Sequence, residues 1–101
     1  MKQRNDALLT QLSAAFAQLQ TPEECRNLLE DLCTIKELDD MAHRLETAFL
    51  LNEGKNYQEI SAQLGVSTAT ISRVSRCLNY GAGGYARTLS VLNEKRNSYA
   101  N

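Results

Sequence analysis

The stretch YQEISAQLGVSTATISRVSRCL, residues 57–78, decides the fold, because its residue spacing is that of two short helices joined by a sharp turn. Counted from Tyr57, a helix-turn-helix unit needs apolar residues at the fourth, eighth, tenth, fifteenth and eighteenth places, a small residue at the fifth and glycine at the ninth. A generic pair of amphipathic helices would need neither the glycine nor the small residue. The seven places are filled by Ile60, Leu64, Val66, Ile71, Val74, Ser61 and Gly65. The stretch therefore predicts a helix-turn-helix over 56–78.

The second helix of this unit, predicted over 67–77, has an outward face suited to the major groove of double-stranded DNA. At about 100° per residue, Ile71, Val74 and Leu78 define its buried side. The opposite side is short, polar and cationic, which suits a groove about 12 Å wide. An arginine there can bind guanine through two hydrogen bonds or hold a phosphate, and the sequence leaves both open. The residues of this helix expected to contact DNA are Ser67, Thr68, Ala69, Thr70, Ser72, Arg73 and Arg76.

The first helix of the unit, predicted over 57–63, adds Lys55 and Gln58 to the expected DNA contacts. Its free N–H groups can hold a phosphate oxygen, and a lysine beside them adds counterion release. For Lys55, an ordinary solvated surface lysine remains the alternative.

The rest of the chain is predicted to be helical. The single proline is Pro22, all five glycines lie at position 54 or later, and no stretch alternates as a strand does. Thr21 before Pro22, and Thr34 three residues before Glu37, are helix-start signals, and Gly54 is expected to end the third helix. We expect an all-α chain of about six helices in a single domain over 1–101, with dimerisation and scaffold helices in 1–53 and a C-terminal helix over 85–97.

The charges are distributed unevenly, although the formal net charge of the 101 residues is only −1. Residues 23–59 contain ten acidic and four basic side chains, whereas residues 60–101 contain five basic and one acidic. An anionic partner is therefore expected at the C-terminal part alone.

Several other classes of protein are disfavoured. The cysteines Cys25, Cys33 and Cys77 are odd in number and lack CxxC spacing, so we expect small buried hydrophobes in a reducing cytosol rather than a disulfide or metal site. No apolar run is long enough to cross a membrane, and residues 1–6 lack the apolar stretch of a signal peptide. A cytoplasmic protein without metal or cofactor is expected.

An enzyme is the first alternative function. His43 is the single histidine, with Asp39, Asp40 and Glu46 near it on a helix. One histidine supplies too few ligands for a familiar zinc site, and no nucleophile–base pair accompanies it. A solvated acidic helix face with a salt-linked histidine is the simpler interpretation, so we expect no enzyme.

Two further alternatives concern binding. The glycines at 81, 83 and 84 suggest a phosphate loop, but the lysine and preceding strand of such a loop are missing. We expect instead a turn into the last helix, with Tyr80 and Tyr85 packing nearby. A protein-interaction module without DNA binding would keep the buried residues but not Arg73 and Arg76, so their presence favours DNA.

The motifs STATISR (67–73) and RCLNYGAGGY (76–85), with MAHRLETAFLLNEGKNYQEI (41–60), resemble the Trp repressor-like superfamily, and within it the YerC/YecD subgroup. The resemblance implies a six-helix intertwined homodimer that regulates transcription, as a repressor. A two-fold dimer presents two recognition helices about 34 Å apart, so the resemblance also implies a near-palindromic operator.

The tryptophan site of this superfamily is only partly matched. The matching positions are Thr70 and Arg73. Val74 stands where tryptophan-binding members have glycine, Cys77 replaces a ligand serine, and His43, with Arg44 adjacent, aligns with the second ligand-holding arginine. These departures imply that tryptophan is not bound.

Overall fold

The computed structural model of the chain describes the backbone of residues 6–100 and the side chains of 6–93 and 96. Both ends of the domain predicted over 1–101, and the side chain of Lys95, lie outside this range. The described residues form six α-helices and no strand, which confirms the all-α prediction. The helices are α1 Asp6–Ala17, α2 Pro22–Leu32, α3 Ile35–Asn52, α4 Tyr57–Leu64, α5 Thr68–Tyr80 and α6 Gly84–Ala100.

The predicted helix starts are confirmed by their capping bonds. Thr21 accepts the Glu24 N–H at 3.1 Å ahead of α2. At the start of α3, the Thr34 hydroxyl accepts the Glu37 N–H at 3.1 Å, while the Glu37 carboxylate accepts the Thr34 N–H at 2.8 Å. These bonds satisfy amide groups that have no partner within the helix. The helix ends were less well predicted, since α5 runs on to residue 80 rather than 77 and α6 covers 84–100 rather than 85–97.

The chain divides into two compact units, residues 1–38 and 39–101. Within the described part of the first unit, no residue of α1 or α2 is buried. Large apolar side chains are instead exposed along it. Their exposed fractions are 60% for Leu8, 42% for Leu9, 42% for Leu12, 53% for Leu32 and 81% for Ile35. The first unit therefore contributes no core residue of its own. The predicted single domain stays a prediction.

The second unit contains all the buried apolar side chains of the described residues. One cluster joins α3, α5 and α6, and the other joins α3, α4 and α5. The first is Ala48, Phe49, Val74 and Leu89; the second is Leu50, Ile60 and Ile71. Burial of the Phe, Val, Leu and Ile side chains among them stabilises by about 1.5–3 kcal/mol each. The C-terminal half of α3 is thus the common support for the three helices that follow.

An ion-pair cluster that sequence reasoning did not find joins α6 to α3. The Arg96 guanidinium donates to both carboxylate oxygens of Glu46, at 2.6 and 2.7 Å, and its Nε lies 3.1 Å from a Glu53 oxygen. It also lies 4.3 Å from the centroid of the Phe49 ring. The hydrogen bonds to Glu46 raise the pKa of the Arg96 guanidinium above its ordinary value. Glu46 and Glu53 are seven residues apart, which places them on one helix face, and this spacing was the signal for the cluster.

Gly65, between α4 and α5, is the glycine that the fold most clearly requires. Its φ of 73° is left-handed, and an added Cβ would meet nothing within 4 Å. We expect Gly65→Ala to lower the free energy of unfolding by about 1–2 kcal/mol through backbone strain alone. Urea unfolding at fixed protein concentration measures this change.

Gly84→Ala is the matched control for that variant. Gly84 begins α6 in open space, without a left-handed φ, so alanine there should leave the free energy of unfolding unchanged or raise it by up to about 1 kcal/mol. Equal stability of the two variants would contradict a required left-handed residue at the α4–α5 turn.

Candidate nucleic-acid interface

The unit predicted over 56–78 is formed by α4 and α5. At the start of α4, the Asn56 side chain accepts the Glu59 N–H and the Glu59 carboxylate accepts the Asn56 N–H, each at 2.9 Å. The helix ends at Gly65, whose N–H donates to the Ser61 carbonyl at 2.8 Å. The left-handed glycine lets the chain change direction and begin α5 three residues later.

Buried side chains hold these two helices on the end of α3. Ile60 of α4 and Ile71 of α5 have no exposed surface, and both pack in the cluster that contains Leu50. Leu64 and Val66 pack against that cluster, as expected for residues at the corner of the unit. This packing therefore fixes the position of α5 and leaves its outer side facing solvent.

Two hydroxyl groups, those of Ser67 and Thr70, make hydrogen bonds that cap the first turn of α5. The Ser67 Oγ accepts the Thr70 N–H at 3.1 Å and donates to the Thr70 Oγ1 at 3.0 Å. Ser67 is exposed and Thr70 is half-buried. Both side chains, predicted to contact DNA, thus also fix the start of the helix.

The remaining predicted contact residues lie on the outer side of the unit. On α5, Ser72 is half-buried, whereas its neighbours on that face are exposed. The exposed residues are Thr68, Ala69, Arg73 and Arg76 on α5 and Lys55 and Gln58 at the start of α4. That these residues contact DNA stays a prediction.

The electrostatics of this face favour an anionic partner. Neither Arg73 nor Arg76 makes an ion pair or hydrogen bond within the described part of the chain. From Ile60 to Asn93 the sequence has no acidic residue. Both guanidinium groups therefore keep their positive charge unneutralised at the surface.

Arg73 also borders a cleft of about 300 Å³ in the second unit. Its lining is Met41, Arg44, Arg73, Val74, Cys77 and Tyr85. Arg44 lies in this lining, whereas His43, the residue that the resemblance aligns with a ligand-holding arginine, is exposed, with its Nδ1 2.7 Å from the Asp39 carbonyl. The cleft therefore has two arginines. Val74 is 1% exposed and belongs to the core cluster of Phe49 and Leu89.

Two of the smaller predictions are wrong. Tyr80, expected to pack near the glycine turn, is 87% exposed, although Tyr85 packs against the core as expected. Cys77, expected to be buried, is exposed, while Cys25 and Cys33 are half-buried and all three thiols are free. Tyr80 is exposed because it lies opposite the buried Ile71, one turn beyond Arg76, whereas Cys77 lies beside Val74 at the open cleft.

The surroundings of His43 do not form a metal centre within the described residues, where no group of three His, Cys, Asp or Glu side chains is placed to hold an ion. Glu46, which the enzyme alternative would need, is bound by Arg96. At the glycine turn that follows α5, the first glycine is explained by packing rather than by phosphate binding. A Cβ at Gly81 would collide with the Cys77 carbonyl oxygen, so glycine is the residue that fits directly after α5.

Two short helices joined through a left-handed glycine, on an all-α support, define a helix-turn-helix fold. The family model described as Trp repressor protein matches residues 7–93, and the chain belongs to this family. It is 48% identical over 86 residues to the uncharacterized protein YerC of Bacillus subtilis (strain 168), covering 85% of this chain and 83% of that one. The resemblance to the YerC subgroup is thereby confirmed.

Solved structures agree with this assignment. A TrpR-like protein from Eubacterium eligens ATCC 27750 is 41% identical with a TM-score of 0.80, over 86% of this chain and 90% of that one. A candidate Trp repressor from Staphylococcus aureus is 39% identical with a TM-score of 0.80, over 86% and 87% of the two chains. Among the described residues, no helix combines the length and apolar character needed to cross a membrane.

Proposed function

We propose that the protein is a sequence-specific DNA-binding regulator of transcription that acts as a repressor. The observation that carries the proposal is the outer face of α5, where Arg73 and Arg76 are exposed and unpaired in a stretch without acidic residues. In this proposal Thr68 and Ala69 at the N-terminal end of α5 approach the base edges most closely. The two arginines bind guanine or phosphate behind them.

The other predicted contacts are proposed to position the protein on the DNA backbone. Lys55 and Gln58 are exposed at the start of α4, where the backbone N–H groups that the Asn56–Glu59 capping pair does not use can bind a phosphate. Ser67 and Thr70 hold the first turn of α5, and the half-buried Ser72 lies between this turn and the arginines. Binding at one half-site would therefore combine phosphate contacts from α4 with base contacts from α5.

We propose that the active form is a homodimer. The exposed leucines of α1 and α2 and the absence of any buried residue there support this, because a twelve-residue helix is marginal in water without packing. A second copy would cover these faces and place two copies of α5 about 34 Å apart, matching a near-palindromic site. A regulator that acts on chromosomal DNA in this way would work in the cytoplasm.

Salt-dependent binding of the full chain to duplex DNA tests the proposed function. A duplex recovered by selection from random sequence should be near-palindromic and should bind more weakly as salt rises, with a log–log slope of about −0.9 per phosphate contact. Sedimentation of the free protein should give the mass of two chains. Failure to recover any duplex, or binding indifferent to salt, would instead favour the alternative, a protein-interaction module of the same fold.

Tryptophan is proposed not to be the effector. The cleft bordered by Arg44 and Arg73 has the charge to hold a carboxylate, but Val74 places a branched side chain where tryptophan-binding members have glycine. We expect isothermal titration of tryptophan into the protein to show no binding at micromolar concentrations. Micromolar affinity would contradict this, and Val74→Gly, which opens the cleft, is the informative comparison.

A further inference from the structure

Tyr80 is the most exposed large apolar or aromatic side chain of the described residues, at 87%. A tyrosine combines a large apolar ring with a polar hydroxyl, and such residues are enriched at interfaces. No hydrogen bond holds its hydroxyl within the described part of the chain. The fold thus presents both the ring and the hydroxyl to solvent.

The position of Tyr80 on α5 places it on the face that carries the arginines. It follows Arg76 by four residues, which is one turn of helix and the same side. At about 100° per residue it also falls close to the direction of Ala69, opposite the buried Ile71 and Val74. Tyr80 therefore extends the outward face by one turn beyond Arg76.

The local sequence makes this extra turn possible. α5 continues to Tyr80 because the Gly81 N–H still donates to the Cys77 carbonyl, at 2.9 Å. A side chain at position 81 would collide with that same carbonyl oxygen. Glycine at 81 thus keeps the last turn helical and keeps Tyr80 in register with Arg76.

We propose that Tyr80 is a further DNA-contacting residue, whose hydroxyl donates a hydrogen bond to a phosphate of the bound duplex. The inference rests on the proposed function. The charge of the surrounding surface supports it, since Tyr80 lies one turn beyond the unpaired Arg76 and about two turns beyond the unpaired Arg73, and no acidic residue occurs between 60 and 93. Tyrosine hydroxyls are among the groups that contact phosphate in protein–DNA complexes, and such contacts set register rather than read bases.

The test compares Tyr80→Phe and Tyr80→Ala with the wild type on the selected duplex. Loss of one hydrogen bond to a charged phosphate should weaken binding by about 10-fold or more in Tyr80→Phe, and at least as much in Tyr80→Ala. The salt slope should stay unchanged, because a neutral hydroxyl releases no counterion, whereas Arg76→Ala should change it by about 0.9 if Arg76 holds a phosphate. Tyr85→Phe is the matched control, since it removes the same hydroxyl from a residue packed against the core.

Duplexes that carry one neutral methylphosphonate at a time locate the contact. One position in each half-site should weaken the wild type but not Tyr80→Phe, because the variant has no hydrogen bond to lose there. If both Tyr80 variants bind like the wild type while Arg76→Ala is impaired, the inference is overturned and the proposed function stands. If the wild type binds no duplex, both the inference about Tyr80 and the proposed function are contradicted. A Tyr80 variant that sediments as a single chain would show that the ring is covered by a second copy, which also overturns the inference.

Discussion

Replacing Arg73 and Arg76 together with alanine should lower the affinity for the selected duplex by about 30-fold or more. An arginine that binds a base or a phosphate contributes about 1–3 kcal/mol to the free energy of DNA binding. Helix α5 contains no other basic residue that could replace them. Both side chains are exposed and unpaired, so their removal leaves no buried charge and should not affect folding. Fluorescence anisotropy of a labelled duplex at several salt concentrations measures the change.

The single variants separate the roles of the two arginines. A phosphate contact, when lost, makes the salt slope shallower by about 0.9 and weakens all sequences alike, whereas a lost base contact relaxes selectivity at one position. Arg73 also borders the cleft with Arg44, so Arg73→Ala can additionally change the binding of a small anion there.

Arg26→Ala is the matched charge control for these variants. Arg26 is exposed on α2 and bonds to Glu30 at 2.8 Å, so its loss removes one positive charge without changing α5. If Arg26→Ala weakens binding as much as Arg73→Ala or Arg76→Ala alone does, the effect is one of total charge, and the outer face of α5 is not the DNA-binding surface.

Replacing Phe49 with alanine should lower the free energy of unfolding by about 3–5 kcal/mol, the usual cost of removing a buried aromatic ring. Phe49 is 6% exposed and packs in the cluster that joins α3 to α5 and α6, and its ring lies under the Arg96 guanidinium. The loss is a large part of the ~5–15 kcal/mol by which domains of this kind are stable. Urea unfolding at fixed concentration measures it, since dimer formation would make stability depend on concentration.

Phe49→Leu is the control that separates volume from ring chemistry. Leucine keeps most of the apolar contact but removes the cation–π interaction with Arg96, so we expect it to cost less than Phe49→Ala. A loss below about 1 kcal/mol for Phe49→Ala would contradict the assignment of this cluster as the core that supports the helix-turn-helix.

The count of charges along the sequence overstated the basic character of the C-terminal part. Arg96 was counted among its basic residues, but the guanidinium bonds to Glu46 of α3 and to Glu53, which directly follows that helix. The partners are fifty and forty-three residues away, a separation that no local pattern reports. The unneutralised positive charge of the C-terminal part is therefore smaller than the count suggests, and Arg73 and Arg76 supply a larger share of it.

Most of the fold followed from local chemistry, which is why the sequence alone determined it. Capping pairs such as Thr34 with Glu37 and Asn56 with Glu59, the 3.6-residue periodicity of apolar side chains, and the glycine at 65 act over a few residues, so their outcome depends little on the rest of the chain. The resemblance to the Trp repressor-like superfamily was carried by short motifs in the same way, whereas family membership is shown by similarity over residues 7–93.

The tertiary structure alone decided which side chains stay exposed, line the cleft or form long-range ion pairs once the helices pack. It placed Arg44 rather than His43 at the cleft, bound Arg96 to α3, left Cys77 exposed, and left Tyr80 exposed at the end of a longer α5. These outcomes depend on contacts between residues distant in sequence and on where neighbouring helices stop covering one another. Periodicity predicts which side of a helix faces inward, but only the packed neighbours determine how far along that helix the cover extends.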